Sequence, residues 1–210
     1  MDYKLYSFWR SSCSWRVRIV LAHKNVNHTV LPVNLLEGNQ YKEEFKDRNS
    51  MNQVPILMIG DSYLTQSIAI FHYLEDKYPH PSMIPKGFEK YKMWEIAEII
   101  NSGIQPLQNV SILNMIEKCQ IDKLLWAQNV INKGFEAIEK ILKDTSGKYS
   151  LGDELSFADA CLVPQGYNAL SYGVKLENFP VLYSIYKSAL EHPSIQASHP
   201  KKQKDCPLKK

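Results

Sequence analysis

The sequence predicts an α/β region followed by an all-helical region, and three observations support this division. Apolar runs with strand periodicity alternate with helical patterns near the start of the chain. Residues 78–87 then carry three prolines and a glycine, which is typical of an interdomain linker. Beyond them, apolar residues repeat at helical spacing. We therefore expect one domain at residues 1–80 and a helical domain at residues 88–210.

The α/β region is predicted to begin with a strand over residues 3–8 and a helix that ends at Asn25. A second strand is predicted over residues 28–35. It contains Pro32, which lacks a backbone N–H and therefore favours an edge position in the sheet.

A short, loose helix is expected over residues 41–48. Residues 55–65 read as a β-hairpin that turns at Gly60. Thr65 or Ser67 is expected to cap the next helix, which should end before Pro79. The predicted order is therefore β-α-β-α-β-β-α.

The helical region contains two long apolar faces, formed by Met93, Ile96, Ala97 and Ile100 and by Leu124, Ala127, Ile131, Phe135, Ile138 and Leu142. Further along the chain, Ser156 and Asp159 have the spacing of a capping box. We interpret Asp159 as a structural residue that fastens a buried helix, with no part in chemistry.

Charge and composition narrow the expected partners. The formal net charge is +3, but residues 199–210 hold five lysines and one aspartate, which leaves −1 for the rest. Such a tail is typical of a solvated, frayed terminus, and we expect no nucleic-acid partner. No long apolar run or signal peptide is found, so we expect a cytoplasmic protein without membrane contact. The four cysteines are far apart, which favours reduced thiols and no metal site.

The stretch from Ser11 to Ile19 lies at the predicted junction of the first strand and the first helix. Backbone N–H groups at a helix start have no intrahelical partner, and the helix dipole adds partial positive charge, so an anion is favoured there. The simpler interpretation is that Ser12 or Ser14 caps the helix and that Cys13 is a small core residue.

Five motifs then occur in order: residues 11–19, 53–55, 66–67, 104–109 and 162–165. Together they resemble the zeta class of the glutathione transferases, and the resemblance covers most of the chain. It implies a thioredoxin-like first domain and an all-helical second domain. It also implies glutathione-dependent isomerisation of maleylacetoacetate to fumarylacetoacetate, together with transferase activity on small electrophiles such as α-halo acids.

The resemblance also implies the site. Ser11 would be the main hydrogen-bond donor to the glutathione thiolate, assisted by Ser12 and Cys13. Val54 and Pro55 would form a cis-proline bend whose main chain pairs with the peptide. The remaining implied glutathione contacts are Gln40, Gln66, Ser67, Gln105, Asn109 and Ser111.

The expected substrates are dianionic, and Arg10 is the best candidate for a cationic neighbour. Zeta members commonly place an arginine in the helix that here reads Asn168 to Tyr172, and this chain has no basic residue there. Two alternatives stay open: a thiol oxidoreductase that uses Cys13, and a non-catalytic ligand-binding module. The family also implies a homodimer.

Overall fold

The computed structural model describes residues 2–207. The chain divides into two compact units. The first contains the residues up to Ser82 together with those from His192 onward, and the second runs from Met83 to Glu191. This division differs from the predicted domains in one respect, because the segment after residue 191 was expected within the helical domain.

A four-stranded mixed sheet forms the centre of the first unit. Its strands are β1 (Tyr3–Ser7), β2 (His28–Pro32), β3 (Ile56–Ile59) and β4 (Ser62–Thr65), in the spatial order β2-β1-β3-β4. β1 pairs in parallel with β2 and antiparallel with β3, and β3 and β4 form the predicted hairpin. Pro32 lies on an edge strand, as its missing N–H predicts.

Three helices complete this part of the first unit: α1 (Ser12–His23), α2 (Glu43–Lys46) and α3 (Ser67–Lys77). The predicted order β-α-β-α-β-β-α is confirmed. On the face of the sheet that α2 covers, an apolar cluster contains Phe8, Val33, Phe45, Val54 and Ile56. It joins the end of β1 to the loop before β3, and both segments carry predicted site residues.

The second unit is helical. Its helices are α4 (Glu89–Glu98), α5 (Val110–Lys118), α6 (Lys123–Thr145), α7 (Phe157–Ser171) and α8 (Pro180–Leu190). The predicted capping box is present at the start of α7, where Asp159 accepts hydrogen bonds from the N–H and hydroxyl of Ser156 and from Ser150 N–H. These contacts agree with a structural role for Asp159, because its carboxylate binds the residues just before α7.

The segment from residue 192 returns to the first unit and includes α9 (Pro193–Ser198), which packs against α1. Trp15 Nε1 donates to Ser198 Oγ at 3.1 Å, and Cys206 is buried. Residues 199–207 are therefore not frayed, contrary to the expectation, because Cys206 is buried and Gln203 Nε2 donates to the carbonyl oxygens of Ser198 and His199. Lys201, Lys202 and Lys204 are exposed, as expected for a solvated basic segment. Residues 208–210 of that expectation lie outside the described part of the chain.

Candidate active site

The turn between β1 and α1 presents the Ser-Ser-Cys sequence at a helix N-terminus. Ser11 is the N-cap residue, and its Oγ accepts a hydrogen bond from Ser14 N–H at 3.2 Å. Ser11 N–H itself donates to Phe8 O at 3.0 Å, which closes the turn. The cap predicted at Ser12 or Ser14 is therefore wrong by one residue or more. Cys13 is a free thiol and is half-buried.

The peptide bond between Val54 and Pro55 is cis, which confirms the predicted bend. Val54 is buried in the same apolar cluster as Phe8. Phe8 precedes Ser11 by three positions in the sequence. Pairing between β3 and β1 begins at Ile56, so Val54 lies just beyond the ladder at the end of the sheet nearest the serine turn. Its main chain is thus placed where an extended peptide could add to the sheet.

Gln66 and Ser67 occupy the start of α3. Gln66 has a φ of 68°, a conformation that costs a residue with a side chain about 1–3 kcal/mol and is concentrated at functional sites. No side chain caps the helix, so the cap predicted at Thr65 or Ser67 is wrong. Ser67 Oγ instead accepts a hydrogen bond from Arg16 Nη1 at 3.3 Å.

Arg16 was missed by the sequence interpretation. It lies on α1, is fully buried, and reaches from the second turn of α1 to the first residue of α3. It therefore connects the Ser11 turn with the segment of Gln66 and Ser67. The signal in the sequence was two arginines, Arg16 and Arg18, inside an otherwise apolar run of α1, because such residues are seldom buried without polar partners.

Gln40 lies in a single 3₁₀ turn, Asn39–Tyr41, between β2 and α2. Its side chain is buried, and its Nε2 donates a long hydrogen bond, 3.5 Å, to Leu35 O. Its Oε1 is buried and has no hydrogen-bond partner within residues 2–207. A buried carbonyl oxygen without a donor is destabilising, so this amide is suited to a ligand that supplies a donor.

The second unit carries the other three predicted contacts. Gln105 is half-buried and follows a π-helical turn, Ile99–Ile104, a form that is frequent at functional sites. Asn109 caps α5, and its Oδ1 accepts hydrogen bonds from the N–H and the hydroxyl of Ser111. Asn109 and Ser111 thus already have a structural role at the start of α5.

A buried amide pair fixes this segment within the second unit. Gln108 and Gln165 exchange two hydrogen bonds through their side-chain amides, at 2.9 and 3.2 Å. Tyr172 donates to Gln108 O, and Trp126 donates to Leu107 O. The chain between Gln105 and Asn109 is therefore held by side chains of α6 and α7 and by Tyr172. The pairing with Gln108 also explains why Gln165 belongs to the family motif at residues 162–165, which the resemblance alone did not indicate.

Arg10, the predicted cationic neighbour of the substrate, is exposed at the turn before Ser11. In the segment from Asn168 to Tyr172, which has no basic residue, Ser171 is exposed and its hydroxyl donates to Asn168 O.

Across residues 2–207, no cluster of histidine, cysteine, aspartate and glutamate has a geometry that could bind a metal ion. No helix in that same range is long and apolar enough to span a bilayer.

Comparison with known proteins agrees with this geometry. Residues 1–76 match the model of the glutathione S-transferase N-terminal domain, and residues 114–198 match that of the C-terminal domain. The chain is 47% identical over 206 residues to maleylacetoacetate isomerase of Mus musculus, covering 97% of this chain and 94% of that protein. It is 43% identical to glutathione S-transferase Z1 of Arabidopsis thaliana, with 97% and 94% of the two chains covered. The chain belongs to the zeta class of the glutathione S-transferase family.

Solved structures of zeta-class proteins share the whole fold. A bacterial maleyl pyruvate isomerase in its holo form superimposes with a TM-score of 0.93 at 34% identity, covering 96% of this chain and 99% of that one. Maleylacetoacetate isomerase of Anaeromyxobacter dehalogenans, solved with glutathione in its active site, has a TM-score of 0.89 at 38% identity and 98% coverage of both chains. The family therefore includes members that bind glutathione in this fold.

Proposed function

We propose that this protein is a glutathione-dependent isomerase that converts maleylacetoacetate to fumarylacetoacetate. We also propose that it transfers glutathione to small electrophiles such as α-halo acids, a detoxifying reaction. The observation that carries the proposal is the Ser11 turn at the N-terminus of α1, in a chain that is 47% identical to a mammalian maleylacetoacetate isomerase over nearly its full length.

The described residues fit glutathione. The start of α1 offers the hydroxyl of Ser11 and the N–H groups of Ser12 and Cys13 to a thiolate. The start of α3, with Gln66 and Ser67, suits the γ-glutamyl carboxylate for the same reason.

The remaining contacts complete the proposed set. The main chain of Val54 before cis-Pro55 suits the cysteinyl backbone. The unpaired Oε1 of Gln40 suits an N–H of the glycine end. Gln105, Asn109 and Ser111 are proposed as the contacts that the second unit makes.

The central task of these residues is to stabilise an anion. A thiol whose pKa lies about two units above neutral is only about one per cent ionised at pH 7. Lowering that pKa by two to three units requires about 3–4 kcal/mol of differential stabilisation, which one hydroxyl, several N–H dipoles and a helix end can supply together. When bound, glutathione supplies the thiolate that adds to the cis double bond and leaves again after rotation.

The protein residues have two further tasks. They align the diketo acid with the sulfur, and they stabilise the negative charge that develops on its carbonyl oxygen. Arg10 is the cation that we propose for a substrate carboxylate. The segment from Asn168 to Tyr172 has no basic residue, so the resemblance supports glutathione binding more strongly than it supports one particular electrophile.

The test is glutathione-dependent isomerisation of maleylacetone, a stable analogue, followed by the loss of its enedione absorbance. We expect turnover that requires glutathione and falls by roughly 10²-fold or more in Ser11→Ala, as for loss of one donor to a developing anion. Because Ser11 also caps α1, Ser11→Ala should lose about 1 kcal/mol of stability.

A second variant separates the two roles of Ser11. Ser11→Asp keeps a capping side chain but replaces the donor with a negative charge, so it should fold normally and remain inactive. Activity in Ser11→Asp would show that the cap alone matters. Thiol–disulfide exchange with glutathione that is lost in Cys13→Ala and retained in Ser11→Ala, without isomerisation, would favour the oxidoreductase alternative. Glutathione affinity without any turnover would favour the binding module.

We also propose a cytosolic homodimer, as expected for this class. Sedimentation at micromolar concentration tests the assembly, because a single species of 24.2 kDa would contradict it.

A further inference from the structure

The segment formed by residues 192–207 is attached to α1 through buried polar contacts. Trp15 Nε1 donates to Ser198 Oγ at 3.1 Å, and the ring of His199 lies edge-on to the Trp15 indole, with centroids 5.2 Å apart. Arg18 Nε donates to Ser198 O at 3.2 Å. The end of the chain is thus packed beside the helix whose N-terminus forms the proposed thiolate site.

Arg18 extends this attachment to the turn itself. Its Nη1 donates to Ser7 Oγ at 2.8 Å and to Phe8 O at 3.3 Å, and its Nη2 donates to Trp9 O at 3.1 Å. The guanidinium group is nearly fully buried, and burial lowers the pKa of Arg18 to about 9, so it remains charged at neutral pH. Four acceptors, three of them main-chain carbonyls, therefore surround one buried cation.

Asp205 provides the opposite charge and binds the same turn. Its Oδ2 accepts a hydrogen bond from Trp9 N–H at 2.9 Å, and its negative charge favours the charged form of Arg18. Trp9 is thereby fixed at both of its main-chain polar groups, at the N–H by Asp205 and at the C=O by Arg18. Two residues later, Ser11 N–H donates to Phe8 O and begins the helix.

We propose that Arg18 and Asp205 are positioning residues for the glutathione site: they fix the main chain of Phe8 and Trp9, and so set the place of the Ser11 hydroxyl and of the first N–H groups of α1. Neither residue needs to touch glutathione. This role rests on the proposed function, because it matters for catalysis only if the thiolate lies at that turn.

A purely structural role and a positioning role for Asp205 predict different values of the thiol pKa in the glutathione complex. If the aspartate only attaches the end of the chain, its loss lowers stability and leaves the ionisation of bound glutathione unchanged. If it positions the donors, a small displacement of the turn weakens their hydrogen bonds to the sulfur, and the thiol pKa in the complex rises. The thiol pKa is therefore the deciding measurement.

Three variants test the proposal. Asp205→Ala removes both the acceptor and the charge, and Asp205→Asn keeps an acceptor for Trp9 N–H. Lys204→Ala is the matched control, an exposed neighbour in the same segment. For each we would measure amide hydrogen exchange at Trp9 without glutathione, glutathione affinity by calorimetry, and the thiol pKa in the complex from the ultraviolet absorbance of the thiolate.

We expect Asp205→Ala to speed exchange at Trp9 and to raise the thiol pKa by about one unit, which is a tenfold decrease in the ionisation constant of the bound thiol. Asp205→Asn should fall between Asp205→Ala and the unaltered protein, and Lys204→Ala should match the unaltered protein. Unchanged exchange in Asp205→Ala, or faster exchange with an unchanged thiol pKa and affinity, would overturn the positioning role. If the unaltered protein bound no glutathione, the proposed function would fail as well, whatever the exchange rates.

Discussion

A buried ion pair between α1 and α3 gives the sharpest stability prediction. Lys24, at the end of α1, places its Nζ 2.8 Å from Glu75 Oε2 and donates to the carbonyl oxygens of Tyr78 and Pro81 at 2.6 and 3.0 Å. The Lys24 side chain is fully buried, and Glu75 is 9% exposed. Lys24→Met keeps the volume of the side chain but leaves a buried carboxylate without its cation.

The expected cost follows from that burial. Removing one partner of a buried pair typically costs 3–5 kcal/mol, because the remaining charge loses its compensation. Glu75 retains a hydrogen bond from Ser82 Oγ at 2.8 Å, which places Lys24→Met near 3 kcal/mol, at the lower end of that range. For a chain of this length the melting temperature should fall by roughly 6–12 °C.

Urea unfolding followed by tryptophan fluorescence would measure this loss. The matched control is Lys92→Met, which breaks an ion pair of similar length, 2.7 Å, between partially exposed side chains. It should cost no more than about 0.5 kcal/mol. Equal losses in the two variants would refute the reasoning. The double variant Lys24→Met/Glu75→Leu should recover much of the loss, since both charges are then absent.

Two further predictions concern packing and pH. Gly134→Ala should destabilise the protein by about 1–3 kcal/mol in urea unfolding, because the added Cβ would overlap the buried side chain of Ile104. Gly103→Ala meets no atom within 4 Å and should be tolerated. Burial, the nearby His192 and Lys24 lower the pKa of His23 to about 4, so protonation favours the unfolded chain. Stability should therefore fall as the pH drops from 6.5 towards 4, and His23→Gln should flatten that profile between pH 7 and pH 5; an unchanged slope would contradict this assignment.

Much of the secondary structure could be predicted because its signals are local. The strand and helix patterns gave the element order, Pro32 gave the edge strand, and the spacing of Ser156 and Asp159 gave the capping box. Each of these depends on residues that are neighbours in sequence, where periodicity and capping preferences act. The resemblance added the cis bond before Pro55, which local patterns leave open.

Local rules failed where long-range contacts decide the backbone. At the start of α3, capping preferences favoured Thr65 or Ser67, but Gln66 has a positive φ and Ser67 accepts a hydrogen bond from Arg16 on α1. A positive φ at a residue with a side chain is unfavourable, and it persists only when the surrounding structure imposes it. The sequence of the turn alone contains no such information.

The sequence by itself determined the two-part pattern of elements, the family and the position of the Ser11 turn at a helix start. Only the tertiary structure decided that the lysine-rich end of the chain packs on α1 and that Asp205 binds Trp9 N–H across 196 positions of the sequence. Charge composition predicts solvated lysines, and Lys201, Lys202 and Lys204 are exposed, but it does not predict that the main chain of this segment packs on α1. The observed packing arises from hydrogen bonds that Trp15 and Arg18 donate to Ser198 and that Trp9 N–H donates to Asp205, and no periodicity encodes such pairs.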